Sequence, residues 1–159
     1  MSAMKLKWLI ISLLVPVLCT SQTSPPDSLI RLLPYLQDTG RINCLNKISL
    51  AFYINALSEI FENVQTDSAI SYASQAHAEA LKINYIKGIA EAIQNLGEIA
   101  RDRGNYLQGE NYFRQSIPLF QKIQAHENYS WANLTLGYCL YRQYKFSDAK
   151  VAYDRAMLY

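Results

Sequence analysis

The chain has 159 residues, half of them apolar and 18% charged, a one-domain length with enough apolar content for a core, which excludes disorder and collagen-like repetition. The formal charge is +2, and setting aside Lys5 and Lys7 leaves 13 basic residues against 13 acidic ones, so the remainder lacks the basic excess of a nucleic-acid binder. Only 6 Gly and 5 Pro interrupt a composition rich in helix formers.

Lys5 and Lys7 precede an apolar run from Trp8 to Leu18, and Cys19-Thr20-Ser21 follows. A basic start, an apolar centre and small residues at the exit form the pattern of a secretory signal peptide at 1–21. The run is about 11 residues, short of the roughly 20 that cross a bilayer. Leu18 stands directly before Cys19, which fits lipidation poorly because that step takes a small residue there. The expected location is therefore the periplasm or cell envelope, with membrane contact only through this segment or a C-terminal span.

Residues 22–41 read as a lead-in. Pro25-Pro26 mark a linker, Asp27 or Ser28 caps a short helix from Leu29 to Leu33, Pro34 ends it, and Gly40 closes the segment. From residue 42 the chain matches itself at an offset of 40. Ala69, Gly109 and Ala149 align, as do Ala73, Phe113 and Tyr153, and Ala76, Ser116 and Ala156. Leu96-Gly97 aligns with Leu136-Gly137, while the first copy has Ala56-Leu57 there. The copies fall at about 42–83, 84–123 and 124–159.

Each copy reads as two helices. Ile89, Ile93, Leu96 and Ala100 form an apolar stripe, Gly104-Asn105 breaks it, and Tyr106, Gly109, Phe113 and Ile117 form another. The third copy repeats this with a turn near Tyr144-Lys145. In the first copy the turn is expected at Asn63 to Thr66. Gly97 and Gly137 permit close approach of paired helices, with Tyr106 or Phe146 filling the adjacent gap. Such a hairpin cannot bury its apolar face alone, so successive hairpins stack into an all-α solenoid.

These landmarks resemble the tetratricopeptide (TPR) repeat: Leu96-Gly97, Gly104, Tyr106 and Phe113 in the second copy, and Leu136-Gly137, Phe146, Ala149, Tyr153 and Ala156 in the third. The resemblance covers about residues 42–159 and implies a right-handed solenoid of about three antiparallel helix pairs. The period of 40 exceeds the family's usual 34, implying longer helices or turns, and Pro118 should bend a second helix. Asp27 to Pro34, Arg41 to Asn46 and Asp67 to Ala73 are also similar to exported TPR regions of Gram-negative bacteria. Those regions often precede a membrane span and a sensor histidine kinase or regulator.

The resemblance implies a scaffold for protein–protein interaction, the sensory part of a signalling system, with first helices lining a concave face. Counting from the Leu-Gly landmark, the candidate partner-binding residues are Glu91, Gln94, Glu98 and Arg101 (with Asp102) in the second copy, and Trp131, Tyr138, Tyr141 and Arg142 (with Leu134) in the third. The corresponding first-copy positions are Ala51, Ile54, Ser58, Phe61 and Glu62. Asn95 suits the TPRs that clamp acidic chaperone tails, but Glu91 and Glu98 would repel one.

Eight of the 19 aromatic residues lie between Tyr129 and Tyr159, either as partner anchors or as core awaiting cover. Ala156-Met157-Leu158-Tyr159 carries no polar cap, which suggests a fragment, a remnant of a sensor kinase, or a homo-oligomer joined through 131–159. Cys44 and Cys139 read as small buried residues, and His77 and His126 as surface or helix-end positions. The sequons at Asn128 and Asn133 match by chance in a bacterial context. No catalytic motif, cofactor loop or metal spacing emerges, so the expected protein is not an enzyme and takes no cofactor.

Overall fold

The computed structural model describes residues 25–58 and 62–159. The signal-peptide reading of 1–21, with Lys5, Lys7 and Cys19, lies outside them. Helix α1 spans Pro25–Leu32 and leads through a 3-10 turn, Leu33–Tyr35, into α2, Asp38–Ser58. Then come α3 (Glu62–Lys82), α4 (Ile86–Asp102), α5 (Tyr106–Lys122), α6 (His126–Arg142) and α7 (Phe146–Ala156). The described residues contain no strand. The fold is an all-α, TPR-like repeat in which α2 pairs with α3, α4 with α5 and α6 with α7. Each pair stacks on the next, and the first helices of successive pairs also touch one another.

The turns set the regularity. Asn84, Gly104, Gln124 and Tyr144 all have positive φ, between 53° and 79°, and recur every 20 residues. The next backbone N–H reaches back over five residues: Tyr85 donates to Ala80, Asn105 to Ala100, Ala125 to Phe120 and Lys145 to Leu140, at 2.9–3.0 Å. This is the Schellman closure, in which a left-handed residue lets the last carbonyls find donors. Helices α4, α5 and α6 are each 17 residues long, separated by three-residue turns. The long period therefore resides in the helices. Helix α5 continues through Pro118 to Lys122.

Several expectations need correction. Gly40 lies inside α2 and closes nothing, because the helix already starts at Asp38. The lead-in helix begins at Pro25, where a proline has no helical N–H to lose, and Pro34 sits in the 3-10 turn. Residues 63–66 are not the expected turn but lie inside α3, which already runs from Glu62. The gaps beside Gly97 and Gly137 are filled by Phe113 and Tyr153 rather than by Tyr106 and Phe146. A Cβ on Gly97 would stand 3.0 Å from the Phe113 ring, and one on Gly137 only 2.6 Å from Tyr153.

The core straddles pairs. Ala92 of α4 packs with Ile42 and Leu45 of α2 and Ala76 and Ala80 of α3. Phe113 and Phe120 of α5 pack with Ala132, Leu136, Cys139 and Leu140 of α6. Ala69, Ala73, Ala76 and Ala80 are all fully buried, so α3 offers a stripe one methyl deep that admits its neighbours closely. Cys44 and Cys139 are buried free thiols, as their reading as small core residues requires. Glu110, buried on α5, accepts from Arg114 at 2.9 Å, Gln143 at 2.9 Å and Lys145 at 2.8 Å, tying α5 to the α6–α7 turn.

Candidate functional site: a groove across the first helices

Helices α2, α4 and α6 lie side by side and line a groove of about 670 Å³. Its walls differ from its floor. Leu50 and Leu57 of α2 stand exposed on one side, and Trp131 of α6 on the other. The floor is the polar stripe of α4, with Glu91, Gln94, Asn95, Glu98 and Arg101. Asn43, Asn46 and Lys47 of α2, Lys87 of α4 and Asn128 of α6 lie toward the N-terminal ends of their helices.

A network joins the three helices beneath this surface. Trp131 Nε1 donates to Glu98 Oε1. Arg101 Nη1 meets Glu98 Oε2 at 2.6 Å, and its Nε donates to Asp102 Oδ1 at 2.7 Å. Its Nη2 donates to the Tyr53 hydroxyl at 3.1 Å, and that hydroxyl in turn donates to Asp102 Oδ2. Glu98 is thus buried with both oxygens engaged, which is the condition for burying a charge at tolerable cost.

The electrostatics follow from burial. Loss of water pushes the Glu98 carboxyl above its ordinary pKa, against the pull of Arg101 and the Trp131 bond. Glu91 shifts the same way, opposed by Lys87, whose ammonium stands 3.8 Å away. Burial and the Asp102 bond raise Tyr53, so its hydroxyl stays protonated and donating. The floor is also rich in amides. Asn46 Nδ2 donates to the Gly88 carbonyl and Asn95 Nδ2 to the Asn46 carbonyl, each at 3.1 Å. Asn46 Oδ1 and Gln94 Oε1 are buried without a hydrogen-bond donor.

Of the eight candidate residues, Glu91, Gln94, Glu98, Arg101 and Trp131 share this groove. Tyr138, Tyr141 and Arg142 lie outside it. Arg142 stacks over the Tyr106 ring at 4.5 Å and donates to the Tyr138 hydroxyl at 2.7 Å, while Tyr141 meets Phe146 edge-on.

The α2 wall differs from the expected one. Ala51 and Ile54 do not line the groove, and the side chains of Ser58, Phe61 and Glu62 lie outside the described residues. The lining comes instead from Asn43, Asn46, Lys47, Leu50, Tyr53 and Leu57. An offset of 44 explains this. Six of the eight buried α4 residues, Gly88, Ala90, Ala92, Ile93, Gly97 and Ala100, then fall on Cys44, Asn46, Ile48, Ser49, Tyr53 and Ala56, all buried. Helix α3 starts four residues earlier than an offset of 40 from α5 requires, so the first hairpin carries one extra helical turn. The signal available in sequence was the spacing of Ile48, Ser49 and Ala56, small and apolar where α4 is small and apolar.

Among the described residues no cluster of His, Cys, Asp and Glu has the makings of a metal site, and no helix is long and apolar enough to cross a membrane. Comparison with known families finds that residues 89–157 match the model described as tetratricopeptide repeat, a span that covers the second and third helix pairs. No curated protein and no solved structure matches the chain. TPR repeats generally mediate protein–protein interaction.

Proposed function

We propose that this chain is an exported interaction scaffold, the partner-binding part of a signalling system, and that a segment of a partner protein lies in the groove between α2, α4 and α6. The observation that carries the reading is the groove's composition. Aliphatic and indole walls, from Leu50, Leu57 and Trp131, flank a polar floor of Asn46, Gln94 and Asn95 beside Glu91 and Glu98. A polypeptide supplies apolar side chains for the walls and backbone N–H and C=O groups for the polar floor. The export and signalling parts rest on the sequence pattern of 1–21 and on the likeness of the lead-in to exported TPR regions.

No residue set in the groove performs chemistry on this reading. The floor's two carboxylates, half-buried Glu91 and buried Glu98, are held by Lys87, Arg101 and Trp131, and their task is to shape and neutralise the floor. The test is capture of a partner from envelope extract by the full chain, compared with Trp131→Ala, Leu57→Ala and the off-groove variant Leu107→Ala. Hot-spot residues cost about 2 kcal/mol or more, roughly a thirtyfold loss of retention. The expected result is loss with the first two and none with the third. Capture that is indifferent to both groove variants refutes the proposal.

A further inference from the structure

Beneath the groove one guanidinium serves two carboxylates. Arg101 meets Glu98 Oε2 at 2.6 Å and Asp102 Oδ1 at 2.7 Å. The Tyr53 hydroxyl of α2 is neutral and donates to Asp102, so the three charges leave one negative charge over, at a site where Glu98 is only 5% exposed. Neighbouring carboxylates on other helices have their own cations: Glu110 of α5 has Arg114 and Lys145, and Asp67 of α3 has Arg103. From α6 the cluster is faced by the Trp131 indole and by the Cys139 thiol, which burial keeps protonated. The surplus charge is what a proton on the cluster cancels.

The indole depends on the same carboxylate. Trp131 is 48% exposed and, among the described residues, belongs to none of the buried apolar clusters. Its N–H bond to Glu98 Oε1 ties this wall of α6 to the floor of α4. Both oxygens of Glu98 face donors, so the protonated acid has no acceptor toward which to turn its own O–H. Oε2 keeps its lone pairs for the charged guanidinium, which leaves the proton on Oε1, against the indole N–H.

We propose that Glu98 is a proton-operated latch: its ionised carboxylate holds the Trp131 wall in place, and a proton on it sets the indole free. Asp102 stays beside Arg101 when Glu98 loses its charge, so release leaves no unpaired cation. Burial pushes the Glu98 carboxyl up and the Asp102 charge adds to the rise, while Arg101 and Trp131 oppose it without reversing it. The latch is therefore shut above the folded pKa and open below it. On the reading that a partner segment lies in this groove, on which this step rests, acid loosens the grip by freeing one wall.

The reporter is the indole itself. The chain has two tryptophans, so Trp8→Phe leaves Trp131 as the sole source of indole emission. Emission and acrylamide quenching of the full chain are followed from about pH 8 to about pH 4, a range that covers the ordinary carboxyl values, with far-UV circular dichroism at each point. The expected result is a single step at unchanged helicity, its midpoint above the ordinary glutamate range, in which the quenching constant roughly doubles because the held indole is 48% exposed. Glu98→Gln should abolish the step. Asp102→Asn should move it to lower pH, since Arg101 then answers Glu98 alone. Glu127→Gln, one turn before Trp131 on α6, should leave it in place. Quenching that stays flat, a step that coincides with loss of helicity, one that survives Glu98→Gln, or one that Asp102→Asn does not move overturns the proposal. The step is read without a partner, so its absence refutes the latch and leaves the groove reading standing, whereas capture indifferent to the groove variants refutes that reading and leaves the latch.

Discussion

Gly104 and Gln124 occupy the same place in successive turns, with φ of 79° and 56°, yet only one of them is the residue suited to it. A Cβ on Gly104 would meet nothing within 4 Å, so Gly104→Ala introduces no clash and isolates the conformational term. A left-handed conformation costs an L-residue about 1–2 kcal/mol, and the stiffer unfolded chain returns about 0.4–1 kcal/mol. The expected net loss is about 0.5–1 kcal/mol. Gln124→Gly reverses both terms and should gain a similar amount, since Gln124 is exposed and the Schellman bonds are backbone bonds. For a chain of this size each kcal/mol moves Tm by about 2–4 °C. Urea unfolding and a thermal scan of both variants and their double measure this. Equal signs for the two single variants, or a double far from their sum, would refute the reasoning, because the turns stand far enough apart to add.

Gly97→Ala should destabilise by about 1–2 kcal/mol, because the Phe113 ring 3.0 Å away is fully buried and has nowhere to retreat; thermal unfolding reads this directly. Trp131→Phe leaves Glu98 Oε1 without its indole donor and should cost about 1–3 kcal/mol in urea unfolding. The two buried carboxylates should respond to pH with opposite signs. Burial raises the pKa of Glu98, so the penalty is absent below its unfolded pKa and complete above its folded one. Glu98→Gln should therefore gain on wild type as pH rises through that window. Burial alone would raise Glu110 too, but bonds from Lys145, Arg114 and Gln143 outweigh it and hold its pKa down. Its stabilisation is present above the unfolded pKa and lost as pH falls through the folded one, so Glu110→Gln should lose its disadvantage in acid. Stability measured at several pH values for both variants shows whether the slopes diverge.

What was legible in the residues was the part governed by close approach. Ala69, Gly109 and Ala149 mark the second helices because nothing larger fits between the rods, and α3, α5 and α7 fall where that marker places them. The candidate residues on α4 were legible because a polar stripe at helical spacing needs no tertiary information. The α2 wall was not, since the first hairpin's extra turn shifts its register by four residues while the Leu-Gly landmark that would reveal the shift is missing. Nor does spacing show which long side chain crosses to another helix, so the Glu98–Trp131 bond had no signature. Of the four left-handed turn residues, Gly104 announces itself and Asn84 is permissive, but Gln124 and Tyr144 are imposed by the helices on either side.

The surplus turn in the first hairpin also gives the trough a lip. Four residues at about 1.5 Å each lengthen α2 by about 6 Å relative to α4 and α6, and on the offset of 44 they are residues 38–41, at the end where Lys47 and Lys87 also lie. One rim is therefore both raised and cationic while the other is neither, and the flanking sides are aliphatic and indole. A strand of polypeptide laid in such a trough meets different chemistry when it is turned end for end, so the container itself reads the direction of its contents.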